Sequence, residues 1–228
     1  MNDELKNIAS EDIDEMLIKV EKSFDFKFGK TELMHIKTFG ELCDHIANKI
    51  QLDNSDDCTT QQAFYKLRDA ISAKFEINEK TISPDFLLIN FLPRKNRRKR
   101  TKELERYLGF KLNILRPPHW ITSILSILIS ASFIWLFVSF IWLNNMVQIG
   151  LLGLVISIGG LWVANKIGNV LKVQTVGQVA EKMTSENYQK SRRKSKSFNK
   201  SEVEKVLTDL FSDGLGLEKN KLNREARF

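Results

Sequence analysis

The sequence predicts an all-α membrane protein in which small helical bundles flank a two-helix transmembrane hairpin. Three observations predict it. The 46 residues Trp120–Asn165 contain no Asp, Glu, Lys or Arg. The flanking segments space their apolar residues three and four apart, the period of an amphipathic helix. Parts of those flanking segments also read alike, as though one helical unit occurred twice.

The charge-free stretch holds two spans. At about 1.5 Å per residue, Trp120–Leu143 crosses the roughly 30 Å hydrocarbon core and Val147–Asn165 just suffices. Asn144, Asn145 and Met146 are the whole link, so the spans form an antiparallel hairpin with every backbone polar group satisfied inside its own helix. The second span carries Gly150, Gly153, Gly159 and Gly160, and Gly160 with Ala164 has the spacing that lets a neighbouring helix approach closely. These glycines either pack the hairpin on itself or present a self-association face.

Charge orients the hairpin. Counting Lys and Arg against Asp and Glu, residues 1–50 carry −4, 51–93 carry −3, 94–119 carry +8, 166–200 carry +7 and 201–228 carry −1. The basic excess touches both membrane ends and the tip has none. The positive-inside rule therefore places both termini in the cytoplasm, making this a multi-pass protein of an inner or cytoplasmic membrane. Trp120, Trp142 and Trp162 stand near span ends, where amphipathic rings favour the interface. The expected partner is a bilayer with anionic lipids, contacted by Arg94, Lys95, Arg97, Arg98, Lys99, Arg100, Lys102, Arg192, Arg193, Lys194 and Lys196. Protein partners, self-association included, come next. Lys95–Arg100 (KNRRKR) also fits a nucleic-acid patch, which its position beside a span disfavours.

The rest of the chain reads as helices and links. The N-terminus is acidic and has no apolar core for a signal peptide, so insertion is expected to depend on the hairpin. Ile13, Met16, Leu17, Val20 and Phe24 form one stripe within residues 11–28. Thr38-Phe39-Gly40-Glu41 is a capping box that opens a helix buried through Phe39, Leu42, Ile46 and Ile50. Residues 51–61 are polar, acidic and aperiodic, and read as a linker. Gln62–Phe75 is amphipathic through Phe64, Leu67, Ile71 and Phe75. Arg98–Leu108 is a basic helix, and Pro117 and Pro118 separate it from the span. Beyond the hairpin, Thr175-Val176-Gly177-Gln178 repeats the capping box. Residues 188–200 are Ser/Lys/Arg-rich and read as a disordered or membrane-surface linker. Ser201–Glu204 caps a last helix with Val203, Val206, Leu207, Leu210 and Phe211 inward.

These features disfavour catalysis. His35, His45 and His119 lack ligand spacing, and Cys43 and Cys58 are expected to be free thiols in a cytoplasmic setting. No paired carboxylates, phosphate loop or nucleophile–base constellation is visible.

The repeat gives the organisation. VEKSFDFKF (Val20–Phe28) followed by IKTFGELCDHI (Ile36–Ile46) matches LERYLGFKL (Leu104–Leu112) followed, beyond the hairpin, by VQTVGQVAEKM (Val173–Met183). Leu67–Leu88 likewise matches Val206–Phe228. These residues resemble the acyl carrier protein family, small four-helix bundles in which a serine at the start of the second helix holds phosphopantetheine. The resemblance implies a permuted order. Residues 1–50 supply helices two to four of unit one, 62–118 the first half of unit two, 120–165 the hairpin and 166–187 the rest of unit two. Residues 201–228 then supply the first helix that unit one lacks, expected to dock on residues 10–50 in this chain or a neighbour.

On the same resemblance, Ser10 is the one position for phosphopantetheine, with Ala9 and Glu11 where the family usually has aspartate and leucine. Arg94 stands at the equivalent place in unit two. Ser10 before EDID is also a good N-cap. The expectation is a non-catalytic scaffold without a cofactor, possible work being lipid or acyl-transfer machinery held at the bilayer; the alternatives are a carrier modified on Ser10 and a nucleic-acid adaptor.

Overall fold

The computed structural model describes residues 5–142, 147–194 and 196–228. The expected link Asn144–Met146 and the last residue of the first expected span lie outside them. The protein is mostly helical. In chain order the helices are α1 (Ser10–Phe24), α2 (Phe39–Lys49), α3 (Thr59–Phe75), α4 (Arg97–Leu108), α5 (His119–Trp142), α6 (Val147–Ile167), α7 (Val176–Glu186), α8 (Tyr188–Ser191) and α9 (Val203–Leu215). Among the described residues, four two-residue strands accompany them: β1 (Asp53–Asn54), β2 (Leu115–Arg116), β3 (Val170–Leu171) and β4 (Ser197–Phe198). The chain divides into two compact units. One comprises the chain up to Phe91, Glu103–Leu112 and Thr175–Phe228, and the other comprises Leu92–Lys102 and Asn113–Gln174.

The first unit is built twice on one plan. Its first half joins α1 and α2 to α9, which arrives from the far end of the chain. Met16, Val20, Phe24, Phe39, Leu42 and Ile46 form a single core with Val203, Val206, Leu207, Leu210 and Phe211. Its second half uses α3, the end of α4, and α7, with Leu67, Ile71, Leu104, Leu108, Val179 and Met183 buried. Thus α9 corresponds to α3, α1 to α4 and α2 to α7.

The correspondence extends to hydrogen bonds. Both capping boxes form: Thr38 with Glu41, and Thr175 with Gln178, each hydroxyl and carboxyl or amide oxygen taking an N–H the helix leaves orphaned. In both halves a loop then lies along the helix start. Phe39 N–H donates to Ala226 O (2.8 Å) and Gly40 N–H to Arg224 O (2.9 Å). Val176 N–H donates to Phe86 O (3.0 Å) and Gly177 N–H to Pro84 O (2.7 Å). The first helix of each half ends in a left-handed residue, Glu76 (φ 57°) or Gly216 (φ 68°), and so does the second, Asp25 (φ 59°) or Gly109 (φ 82°).

Two segments expected as linkers are instead structured. β1, inside residues 51–61, pairs in parallel with β4, inside 188–200. The cause is burial: Phe198 is fully enclosed, and Tyr188 packs 5.0 Å from Phe24 and 5.8 Å from Phe198 between ring centroids. The last helix begins not at a Ser201 cap but after a 3₁₀ turn (Lys200–Glu202) whose cap is the Asn199 side chain, accepting from Ser201 N–H.

The second unit is the apolar hairpin with its base. α5 has 24 residues and α6 has 21, about 36 and 32 Å long, enough to span a bilayer. Their glycines pack the hairpin on itself. A Cβ on Gly150 would meet Leu136 Cγ at 2.6 Å and one on Gly160 would meet Leu125 Cδ2 at 2.9 Å, whereas Gly159 faces open space. Ser132 and Ser157 satisfy their hydroxyls on the carbonyls of Leu128 and Gly153 one turn back. The other faces are apolar and exposed, as at Phe133, Phe140, Val155 and Ile156. At the base, β2 pairs antiparallel with β3, which holds the ends of the two helices together.

Candidate functional site

Ser10 is the first residue of α1 and exposed. It is not the N-cap: Ala9 occupies that position and caps nothing with its side chain. The Ser10 hydroxyl donates to Glu11 Oε2 at 3.3 Å. One and two turns further along α1, Ile13 and Leu17 form one wall of an apolar cavity of about 150 Å³, completed by Leu33, Ile36, Leu42 and Phe228. Sequence periodicity exposes the α1 wall. It hides the others, because Leu33 and Ile36 lie in an irregular segment and Phe228 is brought in by the docking of the C-terminus. There Phe228 N–H donates to Lys37 O at 3.2 Å.

Glu32 holds that irregular segment in place. Its carboxylate accepts from Gly29 N–H (2.5 Å), from Lys49 Nζ (2.6 and 2.7 Å) and pairs with His45 Nε2 (2.6 Å). The Gly29 N–H first, then Lys49, lower its pKa to about 2. The His35 and His45 rings lie 5.8 Å apart. Among the described residues, no His, Cys, Asp and Glu group is arranged to hold a metal ion. Cys43 is buried, which pushes its thiol up to about 12, while Cys58 is exposed; both are free.

The equivalent positions in the second half are chemically different. With Phe24 matched to Leu108, Ser10, Ile13 and Leu17 become Arg94, Arg97 and Thr101. Arg97 is buried at 7% exposure and donates to Leu92 O (3.0 Å) and Asn169 O (2.7 Å). Arg98 donates to Lys166 O at 2.9 Å, in the last turn of α6, and Asn169 donates to Arg94 O at 2.8 Å. Cations on the orphan carbonyls of a helix C-terminus are favourable. Two arginines expected on lipid therefore bond backbone at the base of the hairpin.

No family model, curated protein or solved structure matches this chain. The likeness to acyl carriers therefore rests on the motifs alone.

The remaining expected lipid contacts divide by exposure. Arg94, Lys95, Lys99, Lys102 and Lys196 are exposed, and Arg100 is half-buried. Arg193 is bonded to Asp69, and Lys194 to Asp57 at 3.0 Å. Arg192 is a correction. At 1% exposure it lies inside the first unit, bonded to Thr59, to Ser197 Oγ (3.1 Å) and to Tyr188 Oη (3.3 Å), with Glu202 3.9 Å away. Glu202 in turn accepts from Thr59 N–H at 2.9 Å and so satisfies the start of α3, which has no side-chain cap of its own. Ser23 Oγ donates to Ser185 O (2.5 Å) and accepts from Tyr188 N–H (3.1 Å). These polar links tie the two halves into one unit, and residue spacing carries no signal for those that Thr59 makes with Arg192 and Glu202 or Ser23 makes with Ser185 and Tyr188, since each of these spans more than a hundred residues.

Proposed function

We propose that the chain is a membrane-anchored, non-catalytic interaction module whose carrier-like halves serve as a docking platform, possible clients being enzymes that act on lipid or acyl groups. The observation that carries this reading is the conversion of the second half. Arg94 replaces the serine position, and Arg97 and Thr101 replace the cavity wall, so the start of α4 bonds the hairpin base instead of lining a ligand cavity. The two long apolar helices supply the anchor. The basic residues on both sides of the hairpin favour a multi-pass arrangement in a cytoplasmic membrane with both termini on the cytoplasmic side. Exposed Arg94, Lys95, Lys99, Lys102 and Lys196 are the cations left to meet anionic headgroups, each worth about 1 kcal/mol near the surface.

A second reading is favoured by one observation. The cavity of about 150 Å³ opens beside α1 within two turns of exposed Ser10, an arrangement suited to a carrier bearing phosphopantetheine on that serine. Intact mass of protein purified from its host's membranes, with Ser10→Ala as control, separates the readings. The platform reading expects an unmodified mass, with ordinary carriers of the same extract fully loaded. A phosphopantetheine-sized increment that the substitution abolishes would overturn it and establish a tethered carrier.

A further inference from the structure

The corresponding helices α1 and α4 carry opposite charge at equivalent positions. Glu11, Asp14 and Glu15 of the first match Lys95, Arg98 and Lys99 of the second, and one turn later the sign reverses on both, Lys19 matching Glu103. Glu11, Asp14 and Glu15 are exposed, as are Lys95 and Lys99. Among the described residues, Asp12, Asp14, Lys95 and Lys99 have no ion-pair partner, and the one ion pair within the acidic strip is Glu15 with Lys19 at 2.8 Å. One turn beyond the acidic strip sits Ile18, 60% exposed. An isolated apolar side chain needs no explanation, but one that adjoins a strip of exposed carboxylates gives the same face an apolar contact beside its charges.

We propose that this face is occupied by a second copy of the chain, the acidic strip Glu11–Glu15 of one copy docking on the basic strip Lys95–Lys99 of the next. This rests on the platform reading above and names its partner. The contact is heterologous, so each copy keeps one free strip of each sign, and assembly continues head to tail into a ring or row within the membrane plane. Exposed ion pairs are individually weak and screened by salt. Tethering both partners in one bilayer raises their effective concentration enough for a few such pairs to matter. Binding of anionic lipid to Lys95 and Lys99 accounts for only one of the two strips. A matched pair of strips accounts for both.

The test uses the full chain labelled on its exposed native thiol, Cys58, with donor or acceptor dyes and reconstituted into phosphatidylcholine vesicles at low ionic strength. Energy transfer between copies is expected for the native chain and is expected to fall at least tenfold in 0.5 M salt. E11K/E15K and K95E/K99E each abolish it alone, one variant having two basic strips and the other two acidic ones. Mixing the two variants restores it, and the quadruple variant E11K/E15K/K95E/K99E restores it within one species. Transfer that survives either double variant, or that mixing fails to restore, overturns the proposal. Flotation of the same vesicles reads membrane anchoring, and intact mass reads Ser10, so failure of the contact is distinguishable from failure of the platform reading.

Discussion

Gly40→Ala tests whether the C-terminal loop is clamped on the start of α2 as tightly as the hydrogen bonds indicate. A Cβ at this position would lie 2.8 Å from Arg224 O and 2.9 Å from Arg224 Cβ, against about 3.5 Å for an unstrained contact between heavy atoms. Arg224 cannot easily retreat. Its carbonyl accepts from Gly40 N–H, and its guanidinium bonds Asp44 at 2.5 Å and Glu204 at 2.7 Å. Forcing extra carbon into such a site costs about 1–3 kcal/mol, and replacing a helical glycine returns about 0.5–1 kcal/mol, leaving a net loss of about 1–2 kcal/mol. Gly177 holds the equivalent place, but its Cβ would stand 3.1 Å from Pro84 O. The overlap is smaller, and Gly177→Ala is expected to fall within about 0.5 kcal/mol of native. The reporter is built in. Cys43, 2% exposed, reacts with a thiol reagent only when the first half opens, and Cys58 supplies the exposed control. Measured against urea in detergent micelles, the Cys43 labelling midpoint should fall for Gly40→Ala and hold for Gly177→Ala. A Gly40→Ala protein as stable as native would refute the clamp.

Glu32 should give the first half an acid-sensitive limb. Its folded pKa of about 2 lies below the ordinary value of 4.5, so its contribution is fully present above about pH 4.5 and is lost as pH falls toward 2. Discounted for its partly solvated site, that contribution is about 1–2 kcal/mol, and Glu32→Gln should remove the pH dependence of Cys43 protection over that window. Asp25→Gly and Glu76→Gly should each stabilise by about 0.5–1 kcal/mol in the same urea assay, because both residues hold the left-handed conformation that Gly109 and Gly216 adopt at the equivalent places. Deleting 201–228 removes the buried Val203, Val206, Leu207, Leu210 and Phe211. At about 1.5–3 kcal/mol each this is comparable to a typical domain's whole stability of about 5–15 kcal/mol, so Cys43 should label at once without urea. Protection retained in the truncated chain would show that residues 10–50 fold without α9.

What the sequence makes legible is what neighbouring residues decide. Capping boxes at Thr38 and Thr175, the stripes of α1 and α3, and the two apolar spans all follow from contacts within a turn or from length against the bilayer. The docking of α9 is legible at one remove, since only the comparison of Leu67–Leu88 with Val206–Phe228 shows that a first helix is missing near the N-terminus and present at the end. Arg192 shows the limit. A cation within a Ser/Lys/Arg-rich run reads as solvated, and nothing in that run announces that Thr59, Tyr188 and Glu202 converge on a buried guanidinium. Arg97 misleads in the same way, because the carbonyl of Asn169 that holds it lies beyond the whole hairpin. The same distance hides Phe228 as a cavity wall.

The duplicated plan also explains where the hairpin could be inserted and what its position imposes on folding. With Leu112 matched to Phe28 and Val173 to Ile36, the first half crosses this interval in seven residues, 29–35, whereas the second carries residues 113–172, the entire hairpin and its base. Loop closure grows more costly only slowly with length, and pairing of β2 with β3 returns the chain close to its point of departure, so the long insertion adds little to the cost of closing the second half. The order of synthesis then separates the halves. α3, α4 and the hairpin are complete when Ile167 has been made, and α7 follows within twenty residues. The first half, begun earliest, waits for Phe211 and for the loop that reaches Gly40. Until then Met16, Val20, Phe24 and Leu42 lack the α9 surface that buries them. The apolar hairpin is therefore synthesised before the first core can close, and the core face of α1 is buried only on chains that already carry both long helices.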